Sequence, residues 1–451
     1  MKFGEFVNKN VTPAYKKKAK VEMTEEFKNV IQSVENSTSV NSKFIFVTGS
    51  AGTGKSTLIK KIISIPKKRV IVTAPTGIAS WNIGGTTLHS FFRLPLDPFP
   101  SPRKLFGDVV TVLKKMDVLI IDEVSMVKPD ILDAVSQSLQ MHRENKLSFG
   151  GVTVVIFGDL FQLPPVVTSD QVEIYSKYYE TNFFFSAHCL KRIEPEIYNL
   201  TKVFRQKDSN FLEILGKIRI GQDLDNIVKI VNKLCYENKK KIQTELTLTS
   251  RTARAEEIND KKLNLIEAEE KIFIADYQGN YFKGKVDKQL PAPYELKLKK
   301  GCQIIFTKNN DPLWINGTIG KVIDYDEDSL QIEIQGRSLQ VEREKWSSFK
   351  YVIKKNDEGK EKIDKEETAS YSQFPVRLGW AVTIHKSQGL TLNSCTIDLG
   401  HGGGFVHGQV YVALSRCKTL EKIQLTEPLQ RSDIILDKTI LRFYKEFLKF
   451  L

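Results

Sequence analysis

Residues 49–56 carry the feature that most constrains this chain, a glycine-rich loop of sequence GSAGTGKS between a strand-like run and a helix-like run. The loop matches the whole pattern GxxxxGK(S/T), in which backbone N–H groups surround phosphate groups at the N-terminus of a helix. In such a P-loop, Lys55 reaches the β- and γ-phosphates of a nucleotide, and the Ser56 hydroxyl is placed for Mg²⁺. The sequence therefore predicts a nucleotide site. Its predicted residues are Gly49, Ser50, Ala51, Gly52, Thr53, Gly54, Lys55 and Ser56.

Two carboxylates, Asp122 and Glu123, follow the apolar run at residues 118–121. Alone, such a pair is more often the polar end of a buried strand than a site. After a P-loop, we expect Asp122 to anchor Mg²⁺ and Glu123 to orient and deprotonate the attacking water. The combination predicts hydrolysis of a nucleoside triphosphate rather than binding alone.

Three further side chains are candidates for the same site. Gln162, in the segment GDLFQLPP, follows another apolar run and is expected near the γ-phosphate. Arg205 and Arg416 lie outside the first predicted domain, and either one alone would be a surface salt-bridge residue. We expect both to act as arginine fingers on a nucleotide bound between two domains, when the cleft between them closes.

Apolar runs, turns and helix-like stretches alternate along most of the chain, which is typical of α/β folds. Short strands of almost wholly apolar residues indicate a parallel sheet covered on both faces, whose ligands sit beyond the carboxyl ends of the strands. A second α/β set begins after residue 187. Between its two parts, residues 265–372 show alternating strands and turn signals that predict a small antiparallel barrel. Within it, the charged stretch 354–367 is predicted to be a mobile hairpin tip.

The amino-acid composition indicates which ligands the protein binds and in which cellular compartment it is found. The 451 residues carry a formal net charge of +13, so polyanions are the expected ligands. Five scattered cysteines without a CxxC pair indicate neither a disulfide framework nor a zinc site, and they fit a reducing compartment. No apolar run approaches the roughly 18 to 20 residues of a membrane span, and no secretory apolar stretch is seen near the N-terminus. We expect a cytoplasmic protein, associated with the nucleoid if bacterial, without membrane contact.

An ordered set of segments runs through the chain: GSAGTGKST, APTGIAS, GGTTLHSFF, IIDEVSM, GDLFQLPP, FRQ, NGTIG, WAVTIHKSQGLTL and YVALSRC. Together they closely resemble the Pif family of superfamily-one DNA helicases, whose more distant relatives are the RecD-like and Dda helicases. The resemblance runs from about residue 21 to residue 430. Its most specific segments are IIDEVSM, GDLFQLPP and HKSQG.

This resemblance implies an α/β protein with two RecA-like P-loop NTPase domains, a small wedge insertion in the first and an SH3-like β-barrel insertion in the second. It implies ATP and Mg²⁺ as cofactors, and unwinding of duplex or other structures by 5′ to 3′ movement on single-stranded DNA. The expected partners of the monomer are single-stranded DNA and single/double-strand junctions, with G-quadruplex DNA and RNA–DNA hybrids as further substrates. The predicted segments are a flexible basic N-terminus (1–20), a first RecA-like domain (21–187) with the wedge at about 91–107, a second domain (188–264 and 373–451) with a C-terminal helix, and the SH3-like insertion (265–372).

The resemblance also assigns roles to single residues. Those in segments that contact the DNA backbone are Thr76, His89, His385 and Lys386. Gln388 and Gly389 match the nucleotide-sensing end of the segment HKSQG. Such helicases often read adenine with a glutamine near the N-terminus, but residues 23–31 contain none. The sequence therefore predicts hydrolysis without predicting adenine specificity.

A proline-rich loop at residues 94–106 is the candidate for the wedge, because the fixed φ angles of its four prolines stiffen it. Phe99 is expected at its tip, where it would split the terminal base pair while Arg103 and Lys104 hold backbone phosphate. Phe91, just before the loop, is also assigned to DNA contact. A plain surface connection explains the same prolines equally well, and the inserted barrel is the alternative place for the pin.

Two rival functions stay open at this point. One is a P-loop ATPase that clamps nucleic acid without unwinding it, although such a protein has no use for the motifs of Arg205, His385 and Arg416. The other is a superfamily-one enzyme that moves in the opposite direction, 3′ to 5′. The inserted SH3-like barrel argues against it, but only through the family resemblance. Two segments are predicted to be structural: residues 183–185 as a buried strand, and residues 434–451 as an amphipathic helix packed on the second domain.

Overall fold

The computed structural model describes residues 22–237, 244–279, 290–310, 313–355, 361–400 and 402–448. The predicted flexible N-terminus, 1–20, lies outside these residues. Within them, two parallel sheets and an antiparallel insertion make up the fold. None of the described helices has both the length and the apolarity needed to cross a bilayer.

The first domain contains, in chain order, α1 (Glu25–Asn36), β1 (Phe44–Gly49), α2 (Lys55–Ile63), β2 (Val70–Ala74), α3 (Gly77–Asn82), β3 (Thr86–Thr87), α4 (Leu88–Phe92), α5 (Asp108–Lys115), β4 (Val118–Ile121), α6 (Pro129–Arg143), β5 (Thr153–Gly158), α7 (Ser169–Tyr178) and β6 (Glu196–Leu200). Its strands form one parallel sheet in the order β3-β2-β4-β5-β1-β6. β1, β4 and β5 are buried along their whole length, as expected for central strands covered on both faces. The predicted α/β class is confirmed here.

The boundary of the first domain differs from the prediction. Because β6 pairs with β1, the first sheet extends to Leu200, and the predicted boundary at residue 187 is wrong. The run 183–185 is no strand either: Phe184–Ser186 form a 3₁₀ turn, although Phe183 and Phe184 are buried as predicted.

The second domain begins with α8 (Ser209–Ile220), α9 (Leu224–Cys235), β7 (Leu246–Thr249) and α10 (Thr252–Asn264). The insertion follows with β8 (Glu270–Ile274), β9 (Asp276–Gln278), β10 (Glu295–Lys299), β11 (Gln303–Phe306), β12 (Ile319–Tyr325), β13 (Ser329–Ile334), β14 (Arg337–Glu342), β15 (Glu344–Lys355), β16 (Glu361–Gln373) and β17 (Val376–Leu378). The second domain resumes with β18 (Ala381–Thr383), β19 (Cys395–Asp398), α11 (Gln409–Leu414), β20 (Ile423–Leu425) and α12 (Lys438–Phe443). Its parallel sheet has the order β18-β7-β19-β20. The second α/β half is therefore present on both sides of the insertion.

The insertion is built from antiparallel pairs. Its main sheet has five strands in the order β14-β13-β12-β11-β17, and two smaller sheets are β10-β8 and β15-β16-β9. Since β17 pairs with β11, the insertion extends to Leu378, beyond the predicted end at residue 372. Its SH3-like class stays a prediction.

β15 and β16 form a long hairpin that lies against the first domain. Tyr351 on β15 packs edge to face on Phe91, with 5.6 Å between the ring centroids. The predicted hairpin at 354–367 is confirmed for its described residues, which are paired along the two strands, and the mobility of its tip stays a prediction. Residues 356–360 lie outside the described chain.

The predicted wedge at about 91–107 links α4 to α5, and its described residues after α4 form neither helix nor strand. Phe99 stacks on Tyr175 with 4.8 Å between ring centroids, and its N–H donates to Asp130 at 2.9 Å. Phe91 is buried against the hairpin. The assignments of Phe99 to an exposed tip and of Phe91 to DNA contact are therefore wrong, because both rings pack against the protein.

The C-terminal segment crosses to the first domain. After α12 the chain continues in a π-helical turn at Tyr444–Leu448. Phe443 stacks on Phe185 with 4.4 Å between ring centroids, and the hydroxyls of Tyr444 and Thr48 are hydrogen-bonded at 2.8 Å. The predicted packing of this helix on the second domain is wrong, because its apolar side chains join the core of the first.

Phe443→Ala is expected to lower the free energy of unfolding by about 3 to 5 kcal/mol, the usual loss for removing a buried aromatic ring. Phe443 is 9% exposed, whereas Phe447, one turn later, is 52% exposed. Phe447→Ala is therefore the matched control. Its ring contacts that of Phe443, with 4.9 Å between the centroids, so the free energy of unfolding should fall by no more than about 1.5 kcal/mol. Denaturant unfolding followed by circular dichroism would compare the two, and equal losses would contradict the docking of this segment.

Candidate active site and nucleic-acid interface

The P-loop turns sharply between β1 and α2. Gly52 (φ +85°) and Gly54 (φ +88°) adopt the left-handed conformation that favours glycine, and α2 begins at Lys55. Lys55 Nζ donates to the carbonyl oxygens of Gly49 at 2.7 Å and Ser50 at 3.1 Å. The loop thus closes around its own lysine, and a bound phosphate would compete with these carbonyls for the ammonium group.

Three carboxylates meet Lys55 at the carboxyl edge of the first sheet. Asp122 and Glu123 follow β4, Asp159 follows β5, and all three act on the charge of Lys55. Burial and the neighbouring Glu123 raise the pKa of Asp122 to about 7. Burial also raises the pKa of Glu123, although Lys55 and Arg416 oppose the rise. An acid with a raised pKa is suited to exchange protons near neutral pH.

Glu123 has an unusual backbone conformation, with φ +50° and ψ +45°. A residue with a Cβ rarely adopts this left-handed region, and such residues cost about 1 to 3 kcal/mol and gather at functional sites. Because the turn comes directly after β4, it sets where the predicted general base stands relative to the strand.

The predicted Mg²⁺ ligands fit that ion by their chemistry. Asp122 offers a carboxylate at the end of β4 and Ser56 a hydroxyl at the N-terminus of α2, and both are the hard oxygen donors that Mg²⁺ prefers. Ser125 has a buried hydroxyl without a hydrogen-bond partner in the described part of the chain. No group of three or more His, Cys, Asp or Glu suited to a metal occurs among the described residues. Asp122 and Ser56 therefore fit Mg²⁺ by the chemistry of their oxygen atoms.

Arg205 lies against the P-loop, and Arg416 lies near enough to Glu123 for their charges to interact. A Cβ added to Gly52 would come within 2.6 Å of the Arg205 Cβ, and Arg205 Nη1 donates to Ser415 O at 3.2 Å. Arg416 is 1% exposed and donates through Nε and Nη1 to two backbone carbonyl oxygens. Burial and the charge of Arg205 lower the pKa of Arg416 to about 9, while Glu123 acts in the opposite direction. The structure therefore brings both arginines to the site, each bonded to backbone carbonyls.

The two predicted glutamines also lie in buried surroundings. Gln162 Nε2 is 3.4 Å from the Asp159 carboxylate. Gln388 Nε2 is buried without a hydrogen-bond partner among the described residues, and Gly389 beside it is exposed. Since buried amide donors are normally paired, Gln388 has a donor available for an acceptor such as a phosphate oxygen. The sensing role of these residues stays a prediction.

Sequence reasoning missed three side chains of this cleft: Phe204, Arg219 and Tyr411. Phe204 and Tyr411 lie in the same motifs as the two predicted arginines, so those motifs already contained a signal for them. Arg219 lies on α8 outside any motif. Its ion pair with Asp159, Nη2 to Oδ1 at 2.9 Å, exists only because the two domains meet.

A cavity of about 450 Å³ opens where the two domains and the insertion meet. The side chains that give it an aromatic and cationic lining include Trp81, Lys308, Lys345, Trp346, Phe349, Arg377 and Lys386. Aromatic faces stack on bases and cations hold backbone phosphate, so this lining is typical of a groove for a single strand. Lys386 lies where the sequence predicted a DNA contact, whereas neither Trp81 nor Trp346 was predicted.

Three other predicted DNA residues, Thr76, His89 and His385, are not part of the cavity lining. Thr76 caps α3, the helix that carries Trp81, with its hydroxyl. His89 and His385 are half-buried, and burial lowers the pKa of both, with the charge of Lys128 adding to the effect at His89. Near pH 7 both imidazoles are therefore neutral and would contact phosphate as hydrogen-bonding groups rather than as cations.

A family model described as PIF1-like helicase matches residues 22–234. The ATP-dependent DNA helicase Pif1 of Bdellovibrio bacteriovorus is 33% identical over 415 residues, which cover 89% of this chain and 88% of that protein. The chain belongs to the PIF1-like helicase family. The human ATP-dependent DNA helicase PIF1 is 31% identical, and the match covers 94% of this chain but only 64% of the human protein.

Solved structures of Pif1 from Bacteroides sp share the fold of this PIF1-like chain. The complex with ADP-AlF4 has a TM-score of 0.84 at 36% identity, covering 95% of this chain and 98% of the other. The structure bound to single-stranded DNA has a TM-score of 0.70 at 37% identity, with the same coverage. By TM-score, this chain is more similar to the first of these structures than to the second.

Asp122→Asn is expected to raise the free energy of unfolding of the nucleotide-free protein most strongly above pH 7. The folded pKa of about 7 exceeds the usual 3.8, so above pH 7 the folded state carries the full cost of a buried carboxylate. As the pH falls from 7 towards 4 this cost declines by at most about 1.4 kcal/mol per pH unit, and so does the gain from the substitution. Denaturant unfolding of the wild type and the variant at pH 8 and pH 5 would measure this gain and its decline.

Asp117→Asn is the control of opposite sign. Burial raises the pKa of Asp117, but its hydrogen bonds with Arg69 outweigh burial and hold that pKa below its usual value. Its stabilisation is therefore present at both pH values, and the substitution should lower the free energy of unfolding at each. A loss of stability in Asp122→Asn at pH 8 would contradict the buried charge cluster.

Proposed function

We propose that this chain is an ATP-dependent DNA helicase, which translocates 5′ to 3′ on single-stranded DNA and unwinds duplex or other secondary structures. The composition of the cleft carries this proposal. Lys55 and Glu123 of the first domain lie beside Arg205, on the connection between the domains, and Arg416 of the second domain. A clamp that only binds nucleic acid does not need groups from two domains at one phosphate site. The family relatives support the same activity, but the chain spans only 60% and 64% of the length of the mouse and human proteins.

Hydrolysis in this proposal uses groups already in place. Lys55 leaves the loop carbonyls for the phosphates, and Glu123 takes the proton of the attacking water. Ser56 and Asp122 would hold Mg²⁺, which would supply positive charge to the phosphate oxygens. The two arginines exchange their carbonyl partners for the oxygens on which charge develops, which stabilises the transition state.

Movement follows from the origin of those arginines. Because Arg416 belongs to the second domain and Arg205 to the connection that leads into it, their bonds to the γ-phosphate hold the cleft closed, and release of that phosphate lets the second domain move. The cavity lined by Trp81 and Lys386 spans the same two domains, so a strand stacked there would be shifted when the domains move. Binding is proposed to be independent of sequence, with bases stacked on aromatic rings and phosphates on lysines.

The choice of DNA partner rests on the relatives and on the resemblance. Structures of Bacteroides Pif1 with single-stranded DNA and with forked double-stranded DNA support single strands and junctions as ligands here. G-quadruplex DNA and RNA–DNA hybrids are proposed as further substrates, and the protein is proposed to act as a monomer. The loop at 91–107 stays our candidate for the wedge, with its exposed apolar side chains Leu96 and Phe106 in place of Phe99.

Lys55→Ala and Glu123→Gln are expected to abolish ATP turnover in different ways. The first removes the charge that binds phosphate, so both ATP affinity and turnover should be lost. The second leaves the phosphate groups of the site intact, so the protein should bind ATP but turn it over at least about 100-fold more slowly. Nucleotide titration and steady-state ATPase assays would separate the two, and near-normal turnover in Glu123→Gln would remove the proposed general base.

A strand-displacement assay on paired 5′-tailed and 3′-tailed duplexes tests the helicase itself. With ATP present, the 5′-tailed duplex should be unwound and the 3′-tailed one should not, because a motor that moves 5′ to 3′ must load on a 5′ tail. Preference for the 3′ tail would reverse the proposed polarity. DNA-stimulated ATP hydrolysis without displacement of either strand would favour the clamp.

A further inference from the structure

Tyr411 of the second domain joins two separate segments of the nucleotide site. It lies on α11 and is 3% exposed. Its hydroxyl accepts a hydrogen bond from the backbone N–H of Ala51 in the P-loop at 3.1 Å. The same hydroxyl donates to the Asp159 carboxylate at 3.3 Å. One side chain of the second domain is therefore bonded both to the phosphate loop and to the end of β5.

Asp159 is a fixed negative charge beside the phosphate site. It is fully buried, yet the charges of Arg219 and Lys55 outweigh burial and hold the pKa of Asp159 below its usual value. Arg219 comes from α8 of the second domain and also stacks over Phe161, 4.4 Å from the ring centroid. Asp159 is therefore bonded to two side chains of the second domain, Tyr411 and Arg219.

The geometry also connects Tyr411 with a predicted arginine finger. α11 ends at Leu414, and Arg416 follows within one turn, so a displacement of α11 at Tyr411 moves Arg416 as well. The N-terminus of the same helix is held against the first domain, since a Cβ added to Gly408 would lie 2.2 Å from Phe161 O. A change in the P-loop at Ala51 therefore reaches Arg416 through one short rigid element. Arg416 also donates to the carbonyl oxygen of Ser387, which follows Lys386 of the cavity lining, so the same arginine is connected with the proposed DNA site.

We propose that Tyr411 is a positioning residue that transmits the state of the P-loop to α11 and so sets Arg416 for the hydrolysis of ATP that DNA stimulates. This inference rests on the proposed function, because it assumes that the cleft hydrolyses ATP. Tyr411 has one proton and it is given to Asp159, while Ala51 occupies an oxygen lone pair. Loss of the hydroxyl leaves the buried carboxylate and the loop N–H without this common partner.

Tyr411→Phe tests the proposal, because it removes only the hydroxyl and keeps the buried ring. The ratio of ATP turnover with single-stranded DNA to turnover without it should fall about tenfold, the scale of a lost hydrogen bond to a charged group. The KM for ATP should change less than about threefold, since no phosphate contact is removed. A role in folding alone would lower both turnover rates together and leave their ratio unchanged.

Tyr175→Phe is the matched control, since Tyr175 is equally buried and its hydroxyl donates to the carboxylate of Asp130 outside the cleft. It should keep the wild-type ratio. Arg219→Lys is a second test, in case Tyr411→Phe does not fold. Lysine lacks the planar guanidinium group that pairs with Asp159 and stacks on Phe161, so the turnover ratio should fall in this variant too. An unchanged ratio in either folded test variant overturns the inference. A wild-type protein without DNA-stimulated ATP hydrolysis would instead overturn the proposed function, and this inference with it.

Discussion

The contact between the two α/β domains depends on charge buried at the carboxyl edge of the first sheet. One lysine, Lys55, faces three carboxylates there. Buried charges cost several kcal/mol each unless they are paired, and Lys55 is one cation beside three acidic groups. Arg219 makes an ion pair with Asp159, and Arg416 acts on Glu123, both from the second domain. The approach of the second domain thus completes the charge balance of the first.

The same balance explains how the site is arranged without phosphate. Lys55, Arg205 and Arg416 all donate to backbone carbonyls, which are neutral acceptors. A triphosphate brings several negative charges to this cationic group, so the exchange of carbonyl for phosphate partners is electrostatically favourable. Until a nucleotide binds, the neighbouring carboxylates offset the electrostatic repulsion among these cations. A charge cluster of this kind serves both the packing of the domains and their chemistry.

The sequence predicted what is encoded locally and missed what depends on distant contacts. A P-loop is a continuous segment with its own strand and helix, so its lysine and its glycines were found directly. β6 is a half-buried edge strand, EIYNL, without the apolar run that marks the central strands, and the boundary was therefore placed too early. Phe99 lies in a loop without periodicity, so nothing nearby in the chain reveals that Tyr175 covers it. The C-terminal helix showed an apolar face, but no local pattern tells which domain that face will meet.

The docking of the C-terminal segment on the first domain limits how the two domains can move. The second domain is joined to the first by the chain that leaves β6, where Phe204 N–H bonds to Gly52 O, and again by Tyr444, bonded to Thr48. A body fixed at two points can rotate about the line between them but cannot easily translate. Both points lie beside the P-loop, so this axis passes close to the nucleotide. The hairpin of the insertion also packs on the first domain, through Tyr351 and Phe91, so a rotation about this axis must displace that contact as well.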